Sequence, residues 1–212
     1  MITISAFEWV PDFAQGQVRD LRVRWALEEA GIPYHTRLVS LGAEQSSAAY
    51  RALQPFGQVP YFEEDGFALF ESGAIVLHIS ERSEALLPKD PAARARATQW
   101  LFAALNSIEP WIQQVASIDY FYKDEDWAKL RRPGALEFAQ LRLTQLADKL
   151  GDKPYLDGDR FTAGDLMMAT VLRILPPIIT DPRLAAYVER CTSRPAFKRA
   201  YNAQMGDFKQ AA

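Results

Sequence analysis

Apolar and polar positions follow two different periods along this chain, and the change of period divides it. ITISAF alternates and reads as a strand. VRDLRVRWALEEAG instead places Val18, Leu21, Val23, Trp25, Ala26 and Leu27 for an amphipathic helix that stops at Gly31. YHTRLVSL reads as a second strand and SSAAYRAL as a short helix. VPYFEED and FALFE form two strands about the tight turn Asp65-Gly66, and ESGAIVLHISER closes the segment as a helix. Beyond LLPKDP, where Pro88 and Pro91 bracket a charged connector, strand-like alternation ends. Helical periods then run over about 92–118, 125–150, 163–175, 182–192 and 195–204, with no fixed-period repeat of the kind a solenoid needs.

The order β-α-β-α-β-β-α, with a crossover first and a hairpin last, describes a small mixed sheet carrying helices, a thioredoxin-like arrangement. The later helices can bury their apolar stripes only as a bundle. The pattern therefore predicts an α/β thioredoxin-like N-terminal domain over 1–84, a linker over 85–91 and an all-α helical C-terminal domain over 92–212. A length of 212 residues, with 49% apolar and 24% charged side chains, suits two small globular domains and excludes collagen, coiled coil and disorder. With 24 Lys and Arg against 27 Asp and Glu the net charge is −3, so nucleic acid is not an expected partner. The single cysteine, Cys191, cannot form an internal disulfide, and neither CxxC nor a zinc-type Cys/His spacing occurs, so no metal is expected and a reducing cytoplasm is. No run approaches the roughly 20 apolar residues that span a bilayer. MITISAFEWVPDFAQGQ lacks a basic leader followed by an apolar run, so a soluble chain beginning at its native start is expected, with no membrane partner.

The hairpin region carries the candidate chemistry. Pro60 follows Val59 at the start of a strand, where its missing N–H suits an edge free to bind something else. A cis Val59-Pro60 bond would turn the Val59 amide and carbonyl toward an extended peptide ligand; a trans proline on a plain edge strand is the alternative. Ser72 lies between FALFE and the helix GAIVLHISER, so its hydroxyl is expected to cap that helix. The free amides and positive dipole end there suit a carboxylate, while Glu71 beside it can take an ammonium group. An α-amino acid end fits both, and simple capping remains the alternative for Ser72.

Gln54-Pro55-Phe56-Gly57-Gln58-Val59-Pro60, followed by Glu71-Ser72-Gly73-Ala74-Ile75, resembles the glutathione site of glutathione S-transferases. ALEEAGIPY at 26–34 is similar to the end of that family's first helix and its following strand, and RFTAGDLMMA at 160–169 to the capping box of its helical domain. The resemblance, to cytosolic members of bacterial type, implies glutathione as cosubstrate, a homodimer, and detoxification by conjugating glutathione to a small hydrophobic electrophile. It places Val59 beside the cysteinyl part through the geometry at Pro60, Glu71 and Ser72 at the γ-glutamyl end, and Gln58 near the glycine carboxylate. Thr162 and Asp165 read as a structural capping box, stapled by Phe161 and Leu166.

A transferase of this kind needs the thiolate, and a free thiol titrates near pH ~8.5. The family supplies a Tyr, Ser or Cys after the first strand, but here no Ser, Thr, Tyr or Cys occurs between Ser5 and Tyr34. The catalytic group is thus open among Arg19, Gln17, the Trp9 indole and a backbone amide at the helix start. Phe13, Trp111, Tyr120 and Tyr122 are candidates for a hydrophobic-substrate pocket, with core or interface packing as the alternative, and Tyr120 or Tyr122 could supply the hydroxyl. His35, His78 and Cys191 are expected to be structural. Two functions follow: a transferase that conjugates glutathione to an electrophile or carries out a related glutathione-dependent isomerisation or reduction, or a catalytically weak or inactive glutathione-binding or regulatory protein that kept the fold. The absence of a cysteine near the first helix argues against glutaredoxin-like exchange. An unrelated thioredoxin-like protein fused to helices would not explain Glu71-Ser72 and the capping box together.

Overall fold

The computed structural model describes residues 1–210, with side chains as far as Phe208. Ala211 and Ala212, the end of the expected helical domain, lie outside the described residues. Strand β1 (Ile2–Phe7) buries Ile2, Ile4 and Ala6 and pairs in parallel with β2 (Tyr34–Val39). On its other side β1 pairs antiparallel with β3 (Tyr61–Glu64), and β3 with β4 (Phe67–Phe70), giving the order β2-β1-β3-β4. Asp65 and Gly66 both have positive φ, 51° and 81°, as a two-residue hairpin turn that follows the strand twist requires. Helix α1 (Asp20–Ala30) makes the crossover, α2 (Ala48–Arg51) is a single turn, and α3 (Ser72–Ser80) follows β4. This is the thioredoxin-like order that the hydrophobic pattern predicts.

α1 ends where Gly31 turns left-handed, at φ 66°, and returns its N–H to the carbonyls of Leu27 and Glu28. Its burial differs from a simple amphipathic helix: Asp20, Arg22 and Arg24 are buried along with Leu21, Val23, Trp25 and Leu27. α1 is covered from two sides: α9 (Pro195–Gln210) packs along it over Asp20 and Arg24, and α3 lies against it where Arg22 reaches Ser72. Arg24 Nε donates to Asp20 Oδ2 at 2.7 Å, its far end contacts Asp207, and Gln204 Nε2 donates to Asp20 Oδ1 at 2.7 Å. Burial pushes the Asp20 carboxyl up while Arg24 pulls it down. Arg194 clasps Glu29 through two bonds of 2.6 and 2.8 Å, and Trp25 meets Phe197 edge-on with 4.8 Å between ring centroids. By contact, then, α9 joins the first compact unit, Met1–Leu87 with Arg194 onward, although it follows the helical segment in sequence.

Pro88–Ser193 form the second unit. It contains α4 (Pro91–Ala103), α5 (Glu109–Ser117), α6 (Asp126–Leu150), α7 (Ala163–Leu172) and α8 (Pro182–Thr192), with wider π-helical turns at Ala104–Ile108 and Ile118–Tyr122. α7 is buried at every residue and lies against α4, so closely that a Cβ on Gly164 would stand 2.5 Å from Trp100 Cβ. Asp165 anchors its start. The carboxylate accepts from the Thr162 N–H at 2.9 Å, the Thr162 hydroxyl at 3.0 Å, the Leu156 N–H at 2.8 Å and the Tyr187 hydroxyl at 3.0 Å. Burial pushes its pKa up and these donors pull it back.

Replacing Asp165 by Ala leaves those buried donors without an acceptor, at about 1–3 kcal/mol for each group that water cannot reach. Asp165→Ala is expected to lower the melting temperature clearly, with glutathione affinity per folded molecule unchanged. Thermal melts beside a binding titration check this, and parental melting with weakened binding contradicts it.

Candidate functional site

The segment that leads into β3 is held by a directed chain of hydrogen bonds. The Tyr61 N–H donates to Ser5 Oγ at 2.8 Å, and Tyr50 Oη donates to the Gln58 carbonyl at 2.7 Å. Ser5 Oγ and Tyr50 Oη stand 2.9 Å apart. Since the Tyr50 hydrogen is already given to Gln58, the hydrogen between the two hydroxyls comes from Ser5. Burial pushes the Tyr50 phenol up, which keeps it a donor. The chain therefore grips both sides of Val59-Pro60, whose peptide bond is cis. Val59 packs its side chain with Val39, Tyr50 and Tyr61, and Phe7, Val18 and Leu53 close the cluster. Its main-chain N–H and C=O meet no other backbone group among the described residues.

The approach to this segment is equally constrained. Gln54 is buried, and its Oε1 accepts from the Phe56 N–H at 2.8 Å. Gly57 has φ 63°, and a Cβ there would lie 2.9 Å from the Gln45 carbonyl oxygen, so no other residue fits without displacement. Gln58 is exposed beside it.

At the far end of the hairpin, Glu71 occupies φ 72°, ψ 114°, a left-handed conformation that costs a non-glycine residue roughly 1–3 kcal/mol. This turn starts α3 one residue earlier than the sequence suggests. Glu71 is the N-cap and makes no side-chain capping bond, while Ser72 is the first helical residue. Ser72 Oγ, expected to cap the helix, instead accepts a hydrogen bond from Arg22 Nη1 of α1 at 3.3 Å. The side chain of Glu71 is exposed and that of Ser72 buried, beside the opening amides of a nine-residue helix. Exposed amides at such a terminus accept anions, and an exposed carboxylate accepts a cation.

Ser5, Tyr50 and Arg22 are the residues of this region that sequence reasoning missed. The Ser5–Tyr50, Arg22–Ser72 and Ser5–Tyr61 bonds span 45 to 56 positions, and no local pattern records them.

The loop between β1 and α1 holds the thiol-donor candidates. It is braced by Gln15, which donates to the Val10 carbonyl at 3.2 Å, and by Gly16, whose φ is 72° and where a Cβ would stand 2.6 Å from the Tyr201 ring of α9. Trp9 and Phe13 are 46% and 42% exposed on this loop. Gln17 is half-buried, and Arg19 is the N-cap of α1. Ser5, which the strand buries completely, has its hydroxyl committed to Tyr50 and Tyr61. Trp111, Tyr120 and Tyr122 belong to the second unit, where Trp111 stacks on Phe138 with 5.2 Å between ring centroids and Tyr122 leans on Trp127 at 5.2 Å. Tyr120 is exposed in the π-helical turn. Among the described residues no three His, Cys, Asp or Glu side chains converge as metal ligands, and no helix is long and apolar enough to cross a membrane.

Comparison with known proteins agrees with this geometry. Residues 14–81 match the family model described as the N-terminal domain of glutathione S-transferase. Maleylacetoacetate isomerase of Pseudomonas aeruginosa is 30% identical over 200 residues, covering 88% of this chain and 92% of that one. Glutathione S-transferase F14 of Arabidopsis thaliana is 27% identical, covering 82% of this chain and 75% of its own. Among solved structures, a theta class glutathione S-transferase from Xanthomonas axonopodis pv. citri with glutathione bound superposes with a TM-score of 0.78 at 29% identity, covering 94% of this chain and 96% of that one. The chain belongs to the glutathione S-transferase family.

Proposed function

We propose that this chain is a glutathione transferase that binds glutathione along the Val59 edge and the opening turn of α3, and delivers the thiolate to a small hydrophobic electrophile. The observation that carries the reading is the Val59 main chain. Its amide and carbonyl lack a backbone partner among the described residues, while both flanking segments are clamped by Ser5 and Tyr50. An extended cysteinyl residue can pair with it as an added strand. The γ-glutamyl carboxylate then meets Ser72 and the α3 amides, its ammonium meets Glu71, and the glycine carboxylate comes near Gln58.

Glutathione's thiol, titrating near ~8.5, is mostly protonated at neutral pH, so the enzyme must favour the thiolate. Arg19 offers a permanent cation at the start of α1, and Gln17 and the Trp9 indole offer neutral donors. Phe13, Trp111, Tyr120 and Tyr122 are the proposed contacts of the hydrophobic cosubstrate. A homodimer is proposed from the exposed aromatic surface of the first unit, where Phe56, Phe67 and Phe70 are accessible and the Phe56 and Phe70 rings meet at 6.0 Å. Cys191, buried and outside any disulfide, suits a cytoplasmic protein, and detoxification of electrophiles is the proposed setting.

A second reading, a binding or regulatory protein without thiol activation, is favoured by one observation: no hydroxyl or thiol side chain occurs between Ser5 and Tyr34, and Ser5 is itself committed. The ultraviolet thiolate absorbance of bound glutathione at neutral pH separates the two. The transferase shows it and the simple binder does not.

Titration calorimetry tests the site. Reduced glutathione is expected to bind with measurable heat, and Glu71→Ala with Ser72→Ala to weaken binding by several kcal/mol at most, about 1–3 for each charged or buried hydrogen bond lost. Full affinity in the double variant contradicts the site. Tyr50→Phe strands the Gln58 carbonyl and the Ser5 hydroxyl, and is expected to cost about 1–3 kcal/mol of stability and to raise the glutathione Kd roughly tenfold. Denaturant melts and the same titration check it, and an unchanged Kd contradicts the clamp. Arg19→Ala is expected to leave the glutathione Kd unchanged while turnover and thiolate absorbance fall together. Unaltered turnover removes Arg19 from the candidates.

A further inference from the structure

We infer that Arg22 sets the hydrogen-bond polarity of Ser72, and so makes the start of α3 select a carboxylate and reject an ammonium group at that point. The inference rests on the glutathione reading above and adds a positioning residue to it. Arg22 is only 4% exposed and Ser72 6%, and the guanidinium Nη1 donates to Ser72 Oγ at 3.3 Å. A guanidinium donates and never accepts, and it stays charged throughout the physiological range. A serine hydroxyl carries one hydrogen and two acceptor positions. With Arg22 filling one acceptor position, the Ser72 hydrogen must turn away from Arg22 toward some acceptor.

Within a helix the usual acceptor is the carbonyl one turn back. Ser80, on the same helix, donates to the Val76 carbonyl at 2.7 Å, and Thr98 and Thr192 donate likewise to the Arg94 and Val188 carbonyls. Ser72 is the first residue of α3 and has no preceding helical turn. Its hydrogen is therefore left for a ligand oxygen. An ammonium group placed there meets a donor, whereas a carboxylate is accepted by Ser72 and the α3 amides together. Glu71, exposed at the N-cap, is the complementary acceptor for the ammonium. The amino-acid head group is thereby given one orientation, and Arg22 enforces it through Ser72 without touching the ligand.

The test compares two peptides by calorimetry on the full chain: reduced glutathione, and the tripeptide 4-aminobutanoyl-cysteinyl-glycine, which lacks only the α-carboxylate. The parent is expected to prefer glutathione. Arg22→Met is expected to shrink that preference about tenfold, with the affinity for the truncated peptide held within about twofold, and Arg22→Lys to restore most of the preference. Equal weakening of both peptides, or an unchanged preference, overturns the role of Arg22, because a residue that only supports the fold moves both ligands alike. Should Arg22→Met not fold, Ser72→Ala carries the decision: it must abolish the same preference, and retention of the preference overturns the inference. A parent that binds neither peptide overturns the glutathione reading itself, an outcome distinct from binding with no dependence on Arg22.

Discussion

The hydrogen-bond chain from the Tyr61 amide through Ser5 and Tyr50 to the Gln58 carbonyl is the constraint on which the rest of the site depends. It joins the central strand, the short helix α2 and both ends of the Val59-Pro60 segment, and each hydroxyl in it has a determined direction of donation. Because it lies in the interior, every group in it must be satisfied, and a half-satisfied chain would cost more than an apolar core. The Val59 main chain is consequently presented by neighbours that cannot easily move. An edge of this kind recognises a peptide by backbone geometry and leaves side-chain discrimination to the surrounding loops.

A second constraint is α9. By packing along α1 it makes a buried network of Asp20, Arg24, Gln204 and Asp207 possible, and through Tyr201 it braces the loop that precedes α1 at Gly16. Buried ion pairs of this type add little net stability but are costly to break on one side, so they favour a single packing of the two helices. That packing fixes how α1 presents Arg22 to the start of α3. The thiol-donor candidates on the loop and the head-group site at Ser72 are thus both referred to α1, one through its N-cap, Arg19, and the other through a side chain in its first turn.

Much of this was legible in the sequence. Strand alternation, the Gly31 stop, the Asp65-Gly66 turn and the long helical periods correspond to observed elements because each rests on local physics: pleat, left-handed glycine, turn geometry and helical pitch. The residues proposed for glutathione, Val59, Glu71 and Ser72, stood out as a motif. Other features depend on contacts that the chain does not write locally. A helical period says that a face is buried but not by what, so the union of α9 with α1, and with it the burial of Asp20 and Arg24, had no local sign. The roles of Ser5 and Tyr50 exist only because strand β1 lies against the loop before β3. The sequence places the cap at Ser72, whereas the positive φ of Glu71, which no glycine announces, starts the helix one residue earlier.

The central claim is that the peptide lies on the Val59 edge with its head group at the first turn of α3, and amide resonances report both places at once. In a titration of ¹⁵N-labelled protein with reduced glutathione, the account predicts that the Val59, Ser72 and Gly73 amide signals shift together and saturate at one common Kd. Saturable shifts confined to other amides, with those three unmoved, would contradict it.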